Sequence, residues 1–216
     1  MILTLVAIGE GYSDNNGIMD NQIKRFQNYG WRVKILTDKP ENFQFVETYK
    51  YQNKVFSYFD KMLFPLRIME ETGEEVLYID HDFMEHIPNN FIKYFKGYHK
   101  FIYYEGWQKW DEETQWWVPW NNFGDHYLEY YQPLIDYWEK IGYDYKKIPT
   151  IRECFMYTPK TNFISNIILD IEKIKPIFEY MSVVGESKFQ GYGQSEGLAL
   201  YTILEKYGIG IERFVR

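Results

Sequence analysis

Apolar and polar residues follow two periods along this chain, one typical of strands and one typical of helices. Short, mostly apolar runs predict strands at 2–8, 33–37, 75–79, 101–105 and 148–157. Apolar residues spaced three and four apart predict helices from Asn15 or Asn16 to Gly30, at 56–72, 91–95, 126–141 and 162–174, and at a last segment ending near 207. This alternation predicts an α/β fold with a central, mostly parallel mixed sheet flanked by helices.

The length and charge of the chain narrow the possible classes of protein. At 216 residues it is long enough for one substantial core, so we expect a single domain over 1–216. A net charge of −7 without a basic run counts against nucleic acid as a partner. The single Cys154 fits a reducing compartment, and the longest apolar runs are shorter than the roughly 18 residues of a membrane span. We therefore expect a cytoplasmic protein.

The stretch Val-Leu-Tyr-Ile-Asp-His-Asp at 76–82 places two carboxylates directly after a predicted strand. In an extended backbone, residues i and i+2 point to the same side, so Asp80 and Asp82 are expected to converge. Mg²⁺ and Mn²⁺ are typically held by one or two carboxylates together with substrate phosphates. The stretch thus predicts a site for a metal-bound diphosphate, although Asp-x-Asp also occurs in simple turns.

Five features in order resemble the GT-A glycosyltransferases, enzymes of the nucleotide-diphospho-sugar transferase superfamily with a Rossmann-like domain. They are the first strand, a loop with Tyr12, a strand ending in Thr37-Asp38, a basic helix, and the hydrophobic strand ending in Asp-x-Asp. The resemblance covers 1–85 and continues loosely to about 208. It implies a metal-dependent glycosyltransferase (EC 2.4) that moves a sugar from a nucleotide-diphosphate donor, expected to be a UDP-sugar, to a hydroxyl acceptor. Residues 1–85 would form the nucleotide-sugar half and 86–216 the acceptor half.

The resemblance also implies where the nucleoside lies. In similar enzymes the loop after the first strand contacts the base and ribose, which assigns Gly9 to a close backbone approach and Tyr12 to stacking on the base. Asp38 matches an acidic residue near the nucleoside and is a suitable partner for a ribose hydroxyl. A glycine-rich turn with a surface tyrosine, and an aspartate that caps a turn, are the structural alternatives.

The diphosphate and the metal are assigned to residues further along the chain. Lys61 and Arg67 lie on the predicted helix that carries a phosphate-facing basic residue in similar enzymes, although both also suit a solvated helix face. Asp80 would contact the nucleotide as well as the Mn²⁺ or Mg²⁺ that it shares with Asp82. A late histidine ligand, which many retaining members have, is missing here, because all four histidines lie within the first 126 residues.

A catalytic role is assigned to Glu196 as well as to Asp82. The stretch 190–198 resembles a late acidic pair before a helix in the family, but Gln194 or Ser195 replaces its first acid. Glu196 would either stabilise positive charge on the sugar or accept the acceptor's proton, roles that predict retention and inversion respectively. An acid favoured by the dipole at a helix start is the alternative.

Tryptophans are concentrated between 105 and 125, where they follow neither period. We expect a loop whose Trp107, Trp110 and Trp116 contact a carbohydrate or other hydroxyl acceptor; a structural lid or an oligomer contact is the competing interpretation.

Two other functions fit part of the sequence. A sugar-phosphate nucleotidyltransferase would use a related α/β fold and a metal, but it favours basic residues after the first strand, and 9–16 has none. A non-catalytic carbohydrate-binding module would need only the aromatic loop.

Overall fold

A computed structural model describes residues 1–9, 11–14, 18–53, 57–87, 100–105, 109–111, 116–118, 136–142, 151–189 and 196–214. The strands are β1 Ile2–Ala7, β2 Arg32–Thr37, β3 Glu47–Lys50, β4 Val76–Ile79, β5 Phe101–Glu105, β6 Lys109–Asp111, β7 Trp116–Val118, β8 Ile151–Thr158 and β9 Ile211–Phe214. The helices are α1 Ile18–Asn28, α2 Tyr58–Thr72, α3 Ile164–Phe189 and α4 Glu196–Lys206.

Seven of these strands form one sheet in the order β3-β2-β1-β4-β8-β5-β9. Strands β1 to β4 are parallel neighbours, β8 runs antiparallel to β4 and β5, and β9 is parallel to β5. The chain is therefore an α/β protein with a mixed, mostly parallel sheet, which confirms the predicted fold class. The assignment of nucleotide-sugar binding to 1–85 and of acceptor binding to 86–216 stays a prediction.

Two buried clusters cover the two faces of the sheet. Strand β4 contributes to both clusters: its alternate side chains enter different clusters, and all four are fully buried. Val76 and Tyr78 pack with residues of α2, α3 and α4, whereas Leu77 and Ile79 pack with residues of α1. A strand that is buried on both faces is apolar throughout, as this sequence is.

Helix α2 begins two residues later than predicted. It ends at the predicted residue, because Gly73 takes the left-handed conformation at φ +64°. Pro65 lies inside this helix. Having no N–H, Pro65 cannot donate the i→i−4 hydrogen bond to the carbonyl of Lys61. Helix α3, in contrast, is longer than predicted, because it continues past Pro176 to Phe189.

Four short strands were not predicted from the sequence pattern. Strand β3 is mostly polar and none of its four residues is fully buried, so it lacks the alternation of a covered strand. Strand β9 was not predicted either. Strands β6 and β7 pair antiparallel, with Trp110 opposite Trp117, within the span predicted to be a loop. That prediction is wrong for these residues, because three-residue strands are too short to show a period of two. Residues 136–140 are helical, as predicted, and residue 141 is already in a turn. The predicted helix at 91–95 and residues 126–135 of the one at 126–141 lie outside the described residues.

Candidate functional site

Three of the predicted site residues follow the carboxyl ends of three neighbouring parallel strands. Gly9 comes after β1, Asp38 after β2 and Asp80 after β4, and these strands are adjacent in the sheet. Their loops therefore emerge at one edge. Ligands of open α/β sheets bind at this edge, beyond the carboxyl ends of the strands.

Gly9 and Asp38 are in direct contact. The N–H of Gly9 lies 3.3 and 3.4 Å from the two oxygens of the Asp38 carboxylate. Gly9 has φ +89°, a conformation that side chains disfavour, and its carbonyl accepts a hydrogen bond of 2.9 Å from the Ser13 hydroxyl. Asp38 thus ties the loop after β1 to the end of β2; its predicted contact with ribose remains a prediction.

A second link between these loops brings in a cation that the sequence did not place there. The Lys39 ammonium pairs with the Asp14 carboxylate, and the Asn42 side-chain amide donates to the Ser13 carbonyl at 2.8 Å. The hydrogen bond from Lys39 lowers the pKa of Asp14. The loop after β1, which has no basic residue of its own, therefore has a lysine beside it.

Asp80 and Lys61 form the second contact among the predicted residues. Asp80 keeps an extended backbone, with φ −63° and ψ 141°, so its side chain continues the face of β4 that carries Tyr78. The Lys61 Nζ lies 3.0 Å from Asp80 Oδ1, and the two side chains are 19 % and 20 % exposed. The Tyr78 hydroxyl donates to the same oxygen. Tyr78 of β4 and Lys61 of α2 thus hold the Asp80 carboxylate in place.

The geometric reason given for Asp82 needs correction. The chain leaves the extended conformation after Asp80 and forms a 3-10 turn at His81–His86, so strand alternation no longer relates Asp82 to Asp80. The Asp82 side chain lies outside the described part of the structure. A shared metal site and a catalytic role for Asp82 therefore stay predictions.

Tyr12 meets the Asp-x-Asp stretch through His81. Their rings are 4.5 Å apart between centroids and nearly perpendicular, at 84°. The Tyr12 side chain is nevertheless 48 % exposed, which leaves surface for a flat ligand. His81 lies between the two aspartates of the motif, yet sequence reasoning gave it no role, because edge-to-face contacts between distant residues leave no sequence signal.

Arg67 is not brought into this group. Its guanidinium pairs at 2.7 Å with Glu172 of α3, and the Arg67 side chain is 58 % exposed. Arg67 lies six residues after Lys61 on α2, which corresponds to a rise of about 9 Å along the helix axis.

The remaining predicted residues are described only in part. Glu196 is the first residue of α4, and its side chain lies outside the described part, so its catalytic role stays a prediction. Trp107 lies outside the described residues altogether. Trp110 and Trp116 lie in β6 and β7, but their side chains lie outside the described part, and contact with an acceptor stays a prediction.

The described residues fit a weakly anchored Mg²⁺ or Mn²⁺ better than a cation enclosed by protein. No group of three potential His, Cys, Asp or Glu ligands occurs in the described ranges. Both donors to Asp80 meet Oδ1, and none of the described residues donates to Oδ2. One carboxylate oxygen is thus available to a hard cation whose other ligands would come from phosphate and water.

Comparisons with known proteins identify no family. No protein-family model matches the chain, and no curated protein matches it. Among solved structures, the crystal structure of 4-diphosphocytidyl-2C-methyl-D-erythritol synthase from Anaerococcus prevotii DSM 20548 aligns over 99 % of this chain and 87 % of that chain, at 11 % identity and a TM-score of 0.44. A likeness of this degree supports no conclusion about activity.

Within the described residues, no helix is both long and apolar enough to cross a lipid bilayer.

Proposed function

We propose that this chain is a metal-dependent transferase that binds a nucleotide-diphosphate sugar, with a UDP-sugar as the first donor to test, and transfers the sugar to a hydroxyl acceptor. The observation that carries the proposal is the position of Asp80. Its carboxylate lies at the carboxyl edge of a parallel sheet, oriented by Tyr78 and Lys61, with Oδ2 available. Such a carboxylate suits a cation-bound diphosphate.

The neighbouring residues supply the other contacts that such a donor needs. Tyr12 would stack on the base, and Asp38 would receive a ribose hydroxyl beside the Gly9 backbone. Lys61 would contact a donor phosphate, which has the charge to attract its ammonium. A divalent cation, when bound, would neutralise charge on the leaving diphosphate.

Glycosyl transfer then requires one bond to break and one to form. The bond between the anomeric carbon and the diphosphate oxygen breaks with its electrons passing to the diphosphate, while the acceptor oxygen bonds to that carbon. The acceptor hydroxyl must also lose its proton. We assign to Glu196 one of two roles: acceptance of that proton, with inversion as the outcome, or stabilisation of the positive sugar while the leaving diphosphate accepts the proton, with retention as the outcome.

Nucleotidyl transfer to a sugar phosphate is the second candidate, and Lys39 favours it. The sequence objection to this activity was the lack of a basic residue in the loop after β1. The pairing of Lys39 with Asp14 places an ammonium beside that loop, where it would serve the phosphates of a nucleoside triphosphate.

Calorimetric titration with a panel of nucleotide diphosphates, in Mn²⁺ and then in chelator, tests the shared donor site. We expect one nucleotide to bind only with metal, and Asp80→Asn to weaken it at least about 100-fold, or about 2.7 kcal/mol. The control is Asp170→Asn, which removes a buried carboxylate between α3 and α4.

Product analysis then separates the two candidates. Glycosyl transfer releases a nucleoside diphosphate from the nucleotide-sugar donor. Nucleotidyl transfer instead joins a nucleoside triphosphate to a sugar phosphate and releases pyrophosphate. If no nucleotide binds with or without Mn²⁺, the transferase proposal fails, and carbohydrate binding without catalysis becomes the function to test.

A further inference from the structure

The Lys61 ammonium lies close enough to Asp80 to repel a cation bound to that carboxylate. Its Nζ is 3.0 Å from Asp80 Oδ1, and both side chains are about four-fifths buried. Charges at this separation interact far more strongly in a partly buried site than in bulk water. In the free protein the negative charge of Asp80 is therefore already balanced.

This balance opposes binding of a divalent cation by itself. A cation on Oδ2 would lie a few Å from the ammonium, and like charges at such distances repel. The Tyr78 hydroxyl, which also donates to Oδ1, is neutral and adds no such repulsion. Lys61 is therefore the described partner of Asp80 that discriminates against a lone cation.

A nucleotide diphosphate changes the balance, because it brings several negative charges to the same edge of the sheet. Lysine has a flexible four-carbon stem and three donors, so its ammonium can move from a carboxylate to a phosphate oxygen. This inference rests on the proposed function. We propose that Lys61 makes nucleotide and divalent cation bind cooperatively: its ammonium pairs with Asp80 until a donor phosphate attracts it.

Cooperativity of this kind is reciprocal. If the nucleotide strengthens binding of the cation by some factor, the cation strengthens binding of the nucleotide by the same factor. Replacing Lys61 by an uncharged residue should therefore have two opposite effects, tighter binding of the cation alone and weaker coupling between cation and nucleotide. Loss of a merely structural contact would not produce this pair of effects.

A matched ion pair lies one residue away on α2. The Lys175 Nζ is 3.1 Å from Asp60 Oδ1, with the side chains 23 % and 13 % exposed, and the Tyr51 hydroxyl donates to Asp60 Oδ2 at 2.8 Å. This pair has the same chemistry, separation and burial as Lys61 with Asp80. Asp60 does not follow a strand of the sheet, so it is not expected to bind the cation. Lys175→Met therefore controls for the loss of a mostly buried lysine from an ion pair.

The test measures Mn²⁺ binding by calorimetry for the full chain, without and with saturating UDP. Lys61→Met should bind Mn²⁺ alone at least about fivefold more tightly than the wild type, the lower end of usual coupling between sites. Lys61→Arg keeps the charge and should match the wild type, as should Lys175→Met. Lys61→Gln gives the same comparison if Lys61→Met does not fold by circular dichroism.

A further variant assigns the effect to the carboxylate. Adding Asp80→Asn to Lys61→Met should abolish the gain in Mn²⁺ affinity. The inference is overturned if Lys61→Met binds Mn²⁺ within twofold of the wild type, or if Lys175→Met gains as much. Failure of the proposed function looks different, since the wild type would then bind no nucleotide under any metal condition.

Discussion

Asp80 and Asp170 have the same kinds of partner but lie in different parts of the molecule. Each carboxylate accepts a hydrogen bond from a tyrosine hydroxyl and is paired with a lysine ammonium. Asp80 lies at the carboxyl edge of the sheet. Asp170 lies on α3, where Lys206 from the last turn of α4 and the adjacent Tyr207 reach it.

The distribution of donors distinguishes the two aspartates. Asp170 uses both oxygens, since Oδ1 accepts from Lys173 at 3.1 Å and Oδ2 accepts from Lys206 and from Tyr207 at 2.7 Å. Both described donors to Asp80 meet Oδ1. The donors to Asp170 thus use both oxygens and join two helices, whereas the described donors to Asp80 use one oxygen at the edge of the sheet where the proposed ligand would lie. The two aspartates differ in location and in the distribution of described donors, and not in the type of partner.

The largest effect expected from this comparison is on stability. Asp170→Ala should lower the free energy of unfolding by about 2–3 kcal/mol, because three hydrogen bonds to a buried, charged acceptor are lost. Asp80→Ala should lower it by about 1–2 kcal/mol, because the Tyr78 hydroxyl loses its acceptor whereas the Lys61 ammonium can reach water on its flexible stem. Urea denaturation of both variants measures the difference, and equal losses would remove the proposed distinction.

A smaller effect is expected when the hydroxyls are removed. Tyr207→Phe and Tyr78→Phe each delete one hydrogen bond to an aspartate and should each lower the free energy of unfolding by about 1–2 kcal/mol. Tyr78→Phe should also weaken metal-dependent nucleotide binding, since Asp80 loses an orienting contact. Tyr207→Phe should leave this binding unchanged. Calorimetry on both variants tests this, and weaker nucleotide binding by Tyr207→Phe would mean that the site extends to α4.

The smallest expected effect is on the pH dependence of stability. Burial raises the pKa of Asp170, but hydrogen bonds from Lys206, Tyr207 and Lys173 outweigh it and hold the pKa below its ordinary value of 3.8. The unfolded chain therefore binds the proton first as pH falls, and the stabilisation is complete above the unfolded pKa and lost through the folded pKa. Urea curves at pH 6 and pH 3 should show that wild type and Asp170→Asn differ less in stability at the lower pH; an unchanged difference would contradict this origin.

Much of the fold could be predicted from local patterns. The apolar runs marked β1, β2, β4 and β5 to within one residue at each end. For β1 and β4 the reason is that both strands are buried throughout, and a strand covered on both faces is mostly apolar. Gly73 marked the end of α2 because the left-handed conformation there favours glycine. Strands β3 and β9 could not be predicted, since edge strands depend on a neighbour's backbone and not on their own apolar pattern.

The candidate site divides in the same way. The sequence by itself determined that Gly9, Asp38 and Asp80 follow strands, because strand ends are marked by local changes in polarity. Only the tertiary structure decided that β2, β1 and β4 are neighbours, that Lys61 but not Arg67 meets Asp80, and that Lys39 lies beside the loop after β1. These contacts join residues far apart in the chain, so sheet order and helix orientation, which no local pattern encodes, determine them.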